Sequence, residues 1–209
     1  MEQNYPEVDE VYQGIGSFIL EIVKIFILAL IIIIPIRVFL FQPFFVQGDS
    51  MVPNFENNQY LIINELGYKT TAVGLGDKIF FTVKPFREIK RQMVIVFRYP
   101  LDRKKYFIKR IIGMPGEKIE IKNGQIYIYN KENPNGYVLN EEDYLMPGIK
   151  TVNNLNNNSN ITLKDDEYFV MGDNRMASSD SRSWGPIKKT DIIGTVIFRA
   201  WPLTKIKVF

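Results

Sequence analysis

Three short segments carry residue types that could do chemistry. The first is Gly48-Asp49-Ser50-Met51-Val52-Pro53. Its glycine permits a tight backbone beside Ser50, so that amides can point at a developing oxyanion, and Pro53 stiffens the chain just beyond. The same tripeptide is also ordinary turn chemistry. The second is Tyr106-Phe107-Ile108-Lys109-Arg110-Ile111-Ile112-Gly113. On a strand, Lys109 shares a side with Phe107 and Ile111. An apolar side desolvates the amine, and burial lowers a lysine pKa by up to about 3–5 units in extreme cases. From a starting value near 10.4, about one lysine in a thousand is neutral at pH 7.5. A fall of about three units makes roughly half of them neutral and able to take a proton from a serine. The third segment runs from Gly172 to Gly185, GDNRMASSDSRSWG. It is dense in hydroxyls and opposite charges. It reads either as a polar loop with Asx turns or as a scaffold that orients a catalytic group from behind.

Composition narrows the chemistry. The 209 residues include no Cys and no His. A disulfide, a thiol nucleophile, a Ser-His-Asp triad and an imidazole or thiolate metal site are all excluded. Proton transfer near neutral pH falls to Asp, Glu, Lys or Tyr, and a desolvated lysine is then the most suitable base for a serine. Asp173, Asn174 and Asp180 could offer oxygen ligands, but Arg175 and Arg182 compete for the carboxylates, so neither metal nor cofactor is expected. The formal net charge is +3, with −3 on residues 1–41 and +6 on residues 42–209. This surplus contains no basic block, and no nucleic-acid partner is expected. A surface near anionic lipid headgroups accommodates it equally well.

Those segments need elements to position them. The apolar stretch Ile22–Phe41 has Lys24 and Arg37 near its ends, where long side chains can snorkel to each interface. Twenty helical residues span about 30 Å, the thickness of a bilayer core. The preceding tail is acidic and no small-x-small site follows, so the stretch reads as a permanent anchor rather than a cleavable signal. The tail has no Lys or Arg, so the positive-inside rule does not favour a cytoplasmic N-terminus. Beyond it, 59–64, 78–83, 94–98, 106–112, 167–171 and 192–200 are β-branched and aromatic runs that read as strands. Residues 118–129 alternate on both sides of Asn123-Gly124, which predicts a hairpin. Asn-rich residues 153–160 read as a loop insertion. The expected organisation is an acidic tail over 1–21, a transmembrane helix over 22–41 and a mainly β, antiparallel domain over 42–209.

Taken together, the three segments resemble the type I signal peptidase family. Its serine box, Gly-x-Ser-Met-x-Pro, is met by Gly48–Pro53. Its lysine box reads here as Lys109–Glu117, and Gly172–Gly185 meets every fixed position of its last box. The resemblance implies an antiparallel β catalytic domain on the outer membrane surface, with the N-terminus cytoplasmic. It implies Ser50 as nucleophile, Lys109 as general base and Ser178 as a hydrogen-bond partner that orients the Lys109 amine. Asp180 and Arg182 would pair and brace that region, and Arg110 would pair with Asp173. The Ser50 amide would contribute to the oxyanion hole. The substrates would be preproteins cleaved after a small-x-small pattern, and the lipid bilayer would be a partner. Phe44, Val46, Met51, Phe55, Phe107 and Ile108 are the candidates for shallow substrate pockets.

The chain departs from the family in places. Gly48 stands where some relatives carry a serine that serves the oxyanion hole, so the second donor is unassigned. Asn54 replaces the usual Thr, and Gln92-Met93 replaces a common Gly-Asp. A self-cleaving repressor-type Ser–Lys protease would need a DNA-binding domain, which residues 1–41 do not supply. The alternative from another class is a catalytically inactive, membrane-tethered binding module. Oligomeric state leaves no trace in the sequence.

Overall fold

In a computed structural model of the chain, residues 8–35, 41–75, 78–153 and 160–209 are described. In chain order the elements are α1 (Val8–Pro35), β1 (Phe41–Phe45), β2 (Tyr60–Asn64), β3 (Thr71–Leu75), β4 (Lys78–Val83), β5 (Val94–Tyr99), β6 (Asp102–Gly113), β7 (Lys118–Lys122), β8 (Gln125–Tyr129), β9 (Tyr137–Val138), β10 (Asn160–Thr162), β11 (Glu167–Met171), the single turn α2 (Ser181–Trp184), β12 (Ile187–Lys188), β13 (Ile192–Trp201) and β14 (Lys207–Val208).

The chain divides into two units at Leu40/Phe41. The first is α1. It begins at Val8, well before Ile22, because no proline interrupts the stretch up to Pro35. At about 1.5 Å per residue its 28 residues extend about 42 Å. Its segment Gly16–Ile33 is the one helix among the described residues long and apolar enough to cross a membrane, and none of it is buried. Arg37, expected to snorkel, lies outside the described residues, as does most of the Asn-rich segment.

The second unit is mainly β, and every recorded strand pair in it is antiparallel. The principal sheet runs β1-β2-β13-β5-β6-β11-β12, with β14 added on β13. A second sheet runs β10-β7-β8-β9, and β3-β4 forms a separate hairpin. The β7–β8 turn places Asn123 and Gly124 at φ of 54° and 81°, the left-handed pair that a two-residue hairpin turn requires. β1 was not anticipated, because Pro43 lies inside it. It is an edge strand, where a missing N–H is tolerated.

Alternation sorts the principal sheet's side chains into two cores. Ile95, Phe97 and Ile111 pack on one side with Val170 and Ile192. Val96, Leu61, Ile63 and Val196 pack on the other with Met51 and Phe55. A third cluster, with Ile119, Ile121, Ile126, Ile128 and Phe169, sits under the second sheet.

The curvature of the principal sheet decides where the site forms. β2, β13 and β5 lie between β1 and β6. In a flat sheet this order would separate β1 from β6 by about 19 Å. Instead the Phe44 ring on β1 meets the Tyr106 ring on β6 edge-on at 5.5 Å between centroids. The sheet therefore curls on itself. The curl coincides with register shifts on β13, between Ile192 and Gly194, Val196 and Phe198, and Arg199 and Trp201. Gly194 lets β2 approach closely, since a Cβ there would collide with the Asn64 carbonyl.

Candidate active site

The curl brings Ser50 and Lys109 together. Ser50 lies in the turn after β1. Met51 and Phe55, each 1% exposed, anchor that turn in the core. Hydrogen bonds close it from Val52 N–H to the Asp49 carbonyl (3.2 Å) and from Phe55 N–H to the Met51 carbonyl (2.9 Å). Gly48 adopts φ 89° and donates its N–H to Asn57 Oδ1 (3.0 Å), so the backbone there has the left-handed form that glycine tolerates. Two bonds reach the turn from the Gly172–Gly185 loop. Asn174 N–H donates to the Ser50 carbonyl (3.0 Å) and Asn174 Nδ2 to the Asp49 carbonyl (3.1 Å).

Lys109 occupies β6 opposite Ile95 and is 4% exposed. Its Nζ lies 2.6 Å from Ser50 Oγ and 2.9 Å from the Ile108 carbonyl, and 5.3 Å from the centre of the Phe107 ring. Burial pushes the amine down to about 8, against the pull of the Asp180 and Asp173 carboxylates, which favour the charged form. As an ammonium it donates to Ser50 Oγ. As a neutral amine it accepts from the hydroxyl, which is the arrangement a general base needs. No hydrogen bond within the described residues engages the Ser50 amide.

A buried lattice of charges stands behind the pair. Arg110 grips Asp173 through Nε (2.8 Å) and Nη2 (2.6 Å), and Asn54 Nδ2 donates to the same carboxylate (2.9 Å). Arg182 grips Asp180 through Nε and Nη2, both at 2.8 Å. Asp180 also accepts from Gly172 N–H (3.0 Å). Burial alone would raise the Asp180 pKa, but Arg182 outweighs it and holds the carboxyl below the usual range. Gly172 is required by its neighbours, because a Cβ there would overlap Ser178 Oγ and the Ser50 carbonyl.

A cleft of about 650 Å³ opens beside Ser50 and Lys109. Phe44, Val46, Leu61, Val96, Phe107 and Ile108 form its apolar lining. Among the described residues no cluster of acids could hold a metal ion.

The profile of the family described as signal peptidase, peptidase S26, matches residues 19–201. The chain is 34% identical over 197 residues to signal peptidase I P of Bacillus subtilis subsp. natto, covering 91% of this chain and 94% of that protein. It is 31% identical over 186 residues to signal peptidase IB of Staphylococcus aureus strain Mu50, covering 86% and 87%. A crystal structure of a signal peptidase I from Enterococcus faecalis V583 aligns with TM-score 0.42 and 29% identity, over 52% of this chain and 97% of that one. The chain belongs to the peptidase S26 family. It is a serine peptidase of that family.

Against this family membership, several expectations about individual residues need revision. Met51 and Phe55 do not line the cleft. The tight turn aims both into the core, and the Phe55 ring packs tilted against Phe209 at 4.8 Å between centroids. Leu61 and Val96 take their place in the lining, and periodicity on β2 and β5 could have indicated them. Ser178 makes no hydrogen bond to Lys109. Its hydroxyl is buried without a partner at bonding geometry, packed against Gly172 and near enough to Asp180 to favour that carboxylate. The amine turns to the Ile108 carbonyl instead. Asn54, Asn174, Arg175, Glu141 and Tyr144 also belong to the site's support. Asn174 and Arg175 sit inside the third segment, but nothing local marks Glu141 or Tyr144.

Proposed function

We propose that the chain is a membrane-anchored serine endopeptidase that removes N-terminal signal peptides from preproteins. The observation that carries this reading is the 2.6 Å approach of the buried Lys109 amine to Ser50 Oγ at the head of an apolar cleft. In the neutral form, Lys109 takes the hydroxyl proton as Oγ bonds to the scissile carbonyl carbon. The carbonyl oxygen becomes an oxyanion facing the Ser50 amide. The resulting ammonium then protonates the leaving amine as the C–N bond breaks, leaving an acyl-serine. Water attacks that ester with Lys109 again accepting the proton; as the acyl C–Oγ bond breaks, the ammonium returns the proton to Oγ, the acid departs and Ser50 is restored.

The apolar lining suits small side chains of a peptide lying extended along β1 and β6. A small-x-small cleavage pattern, as in the family, fits such a cleft. Helix α1 serves as the anchor in this reading, with the N-terminus cytoplasmic and the β domain outside. Tethering enzyme and signal peptide to one membrane raises their effective concentration. A catalytically inactive binding module gives no reason for a buried amine to face a serine hydroxyl.

The test is cleavage of a preprotein bearing an Ala-x-Ala site by the full chain in lipid vesicles, with the new N-terminus read by mass spectrometry. Wild type cuts after the second Ala and Ser50→Ala does not. Equal cleavage by Ser50→Ala would overturn the proposal. The same assay gives a pH profile. With the Lys109 amine near 8, kcat/KM climbs about tenfold per pH unit below that value and levels off above it. A rate independent of pH between 5 and 8 would remove Lys109 as the base.

A further inference from the structure

We infer that Glu141 is a positioning residue for the Ser50–Lys109 pair, acting through Arg175. The inference rests on the catalytic reading above.

Arg175 lies in the loop after β11, one residue beyond Asn174, and its side chain is 0% exposed. A buried guanidinium is tolerated only where its donors are satisfied and its charge is matched. Nη1 and Nη2 both donate to Glu141, at 3.0 and 2.5 Å. Nη1 also meets Thr151 Oγ1, and Nε donates to the Gly172 carbonyl (3.1 Å). Glu141 is the one anion paired with this cation among the described residues.

The consequences run directly to the reacting groups. The Arg175 carbonyl accepts from Arg182 Nη2 (2.9 Å), and Arg182 holds Asp180, which accepts from Gly172 N–H. Gly172 is thus fixed at its carbonyl by Arg175 and at its N–H by Asp180. Gly172 in turn packs against the Ser50 carbonyl, to which Asn174 N–H donates.

The segment around Glu141 grips the other two catalytic elements as well. Tyr144 donates its hydroxyl to Glu141 (2.7 Å), and its carbonyl accepts from Asn54 Nδ2 (2.8 Å), four residues beyond Ser50. Its ring lies 4.2 Å beneath the guanidinium of Arg110, the residue after Lys109. Burial, and secondly the Glu141 carboxylate, push the Tyr144 phenol up, so it stays a neutral donor. A single short segment therefore touches the nucleophile turn, the base strand and the supporting loop.

Charge gives the inference a signature that packing alone lacks. The lattice of linked charges behind Lys109 holds three cations, Arg110, Arg175 and Arg182, against three anions, Asp173, Asp180 and Glu141, of which Asp180 and Asp173 act on the amine most directly. Asp49 and Lys105 at the cleft mouth are exposed, and solvent screens them. Neutralising Glu141 leaves a surplus cation, which disfavours protonation of Lys109. Neutralising Arg175 leaves a surplus anion, which favours it.

The experiment measures pH profiles of kcat and KM for Glu141→Gln and Arg175→Gln, full chain in vesicles, beside wild type and Ser50→Ala. Glu141→Gln is expected to lose about ten- to a hundredfold in plateau kcat, with KM for the preprotein within about twofold. Its acid limb moves to lower pH, and that of Arg175→Gln moves to higher pH. Limbs that stay in place, or move together, overturn the inference, as does an unchanged kcat in Glu141→Gln. If Glu141→Gln does not fold, the upward movement in Arg175→Gln decides alone, and its absence overturns the inference. Cleavage by Ser50→Ala at the wild-type rate would instead strike down the catalytic reading, and this inference with it.

Discussion

Lys109→Met is expected to abolish cleavage and to yield a protein that unfolds at a higher temperature than wild type. The loss of activity would follow because, among the described residues, Lys109 is the one base bonded to Ser50 Oγ. Removing one member of a serine nucleophile–base unit costs about 10⁴-fold or more. The gain in stability follows from linkage. The folded amine sits near 8 against an ordinary 10.5. Below about pH 8 both states hold the proton, and the fold carries the full cost of burying the charge, about 3 kcal/mol. Between pH 8 and 10.5 the unfolded chain binds more protons than the folded one, so stability rises with pH there. Methionine fills similar space with no charge. It forfeits the bonds to Ser50 Oγ and the Ile108 carbonyl, each about 1 kcal/mol. The net at pH 7 is about 1 kcal/mol in favour of the variant, or a rise of about 2–4 °C in Tm by differential scanning calorimetry. Lys109→Arg is expected to be equally inactive, because a guanidinium does not deprotonate, and to gain no stability. A Met variant that melts below wild type would contradict the desolvation of Lys109.

Asp180→Asn is expected to lose about 3–5 kcal/mol of folding free energy, measured by denaturant titration at pH 7. Both partners are buried, with the Asp180 side chain 0% and the Arg182 side chain 2% exposed. Asparagine can still accept from Gly172 N–H, so the cost falls on Arg182, left charged in the interior without an anion. The double variant Asp180→Asn/Arg182→Met removes that orphan and recovers most of the loss. In wild type the folded Asp180 pKa lies below its ordinary 3.8. The pair's contribution is therefore complete above about pH 4 and fades as pH falls through the lower folded value. A loss under about 1 kcal/mol would mean that Arg182 reaches another partner or solvent.

The strands, and the serine and lysine that meet at the head of the cleft, were readable from the chain because their signals are local. Alternation on 94–98 and 106–112 marks β5 and β6 and puts Lys109 among apolar neighbours. A glycine, a serine and a proline within six residues mark the turn. What remained hidden depends on distance along the chain. Met51 and Phe55 lie in an aperiodic turn, where spacing does not tell core from cleft. Pro43 concealed β1 because its tolerance depends on that strand's place at an edge. Glu141 stands 34 residues before Arg175, and only folding makes them neighbours. Ser178 carries the family's residue type, yet the amine it was expected to hold faces a backbone carbonyl instead.

The order of strands in the principal sheet governs when Ser50 and Lys109 can meet. Ser50 and Lys109 both lie in the first 109 residues, yet β13, Ile192–Trp201, stands between the strands that bear them. A growing chain that has completed both residues still lacks the strand that joins β2 to β5 and bends the sheet. It carries a serine and a lysine and no site. The serine and the lysine therefore meet only once β13 has been made.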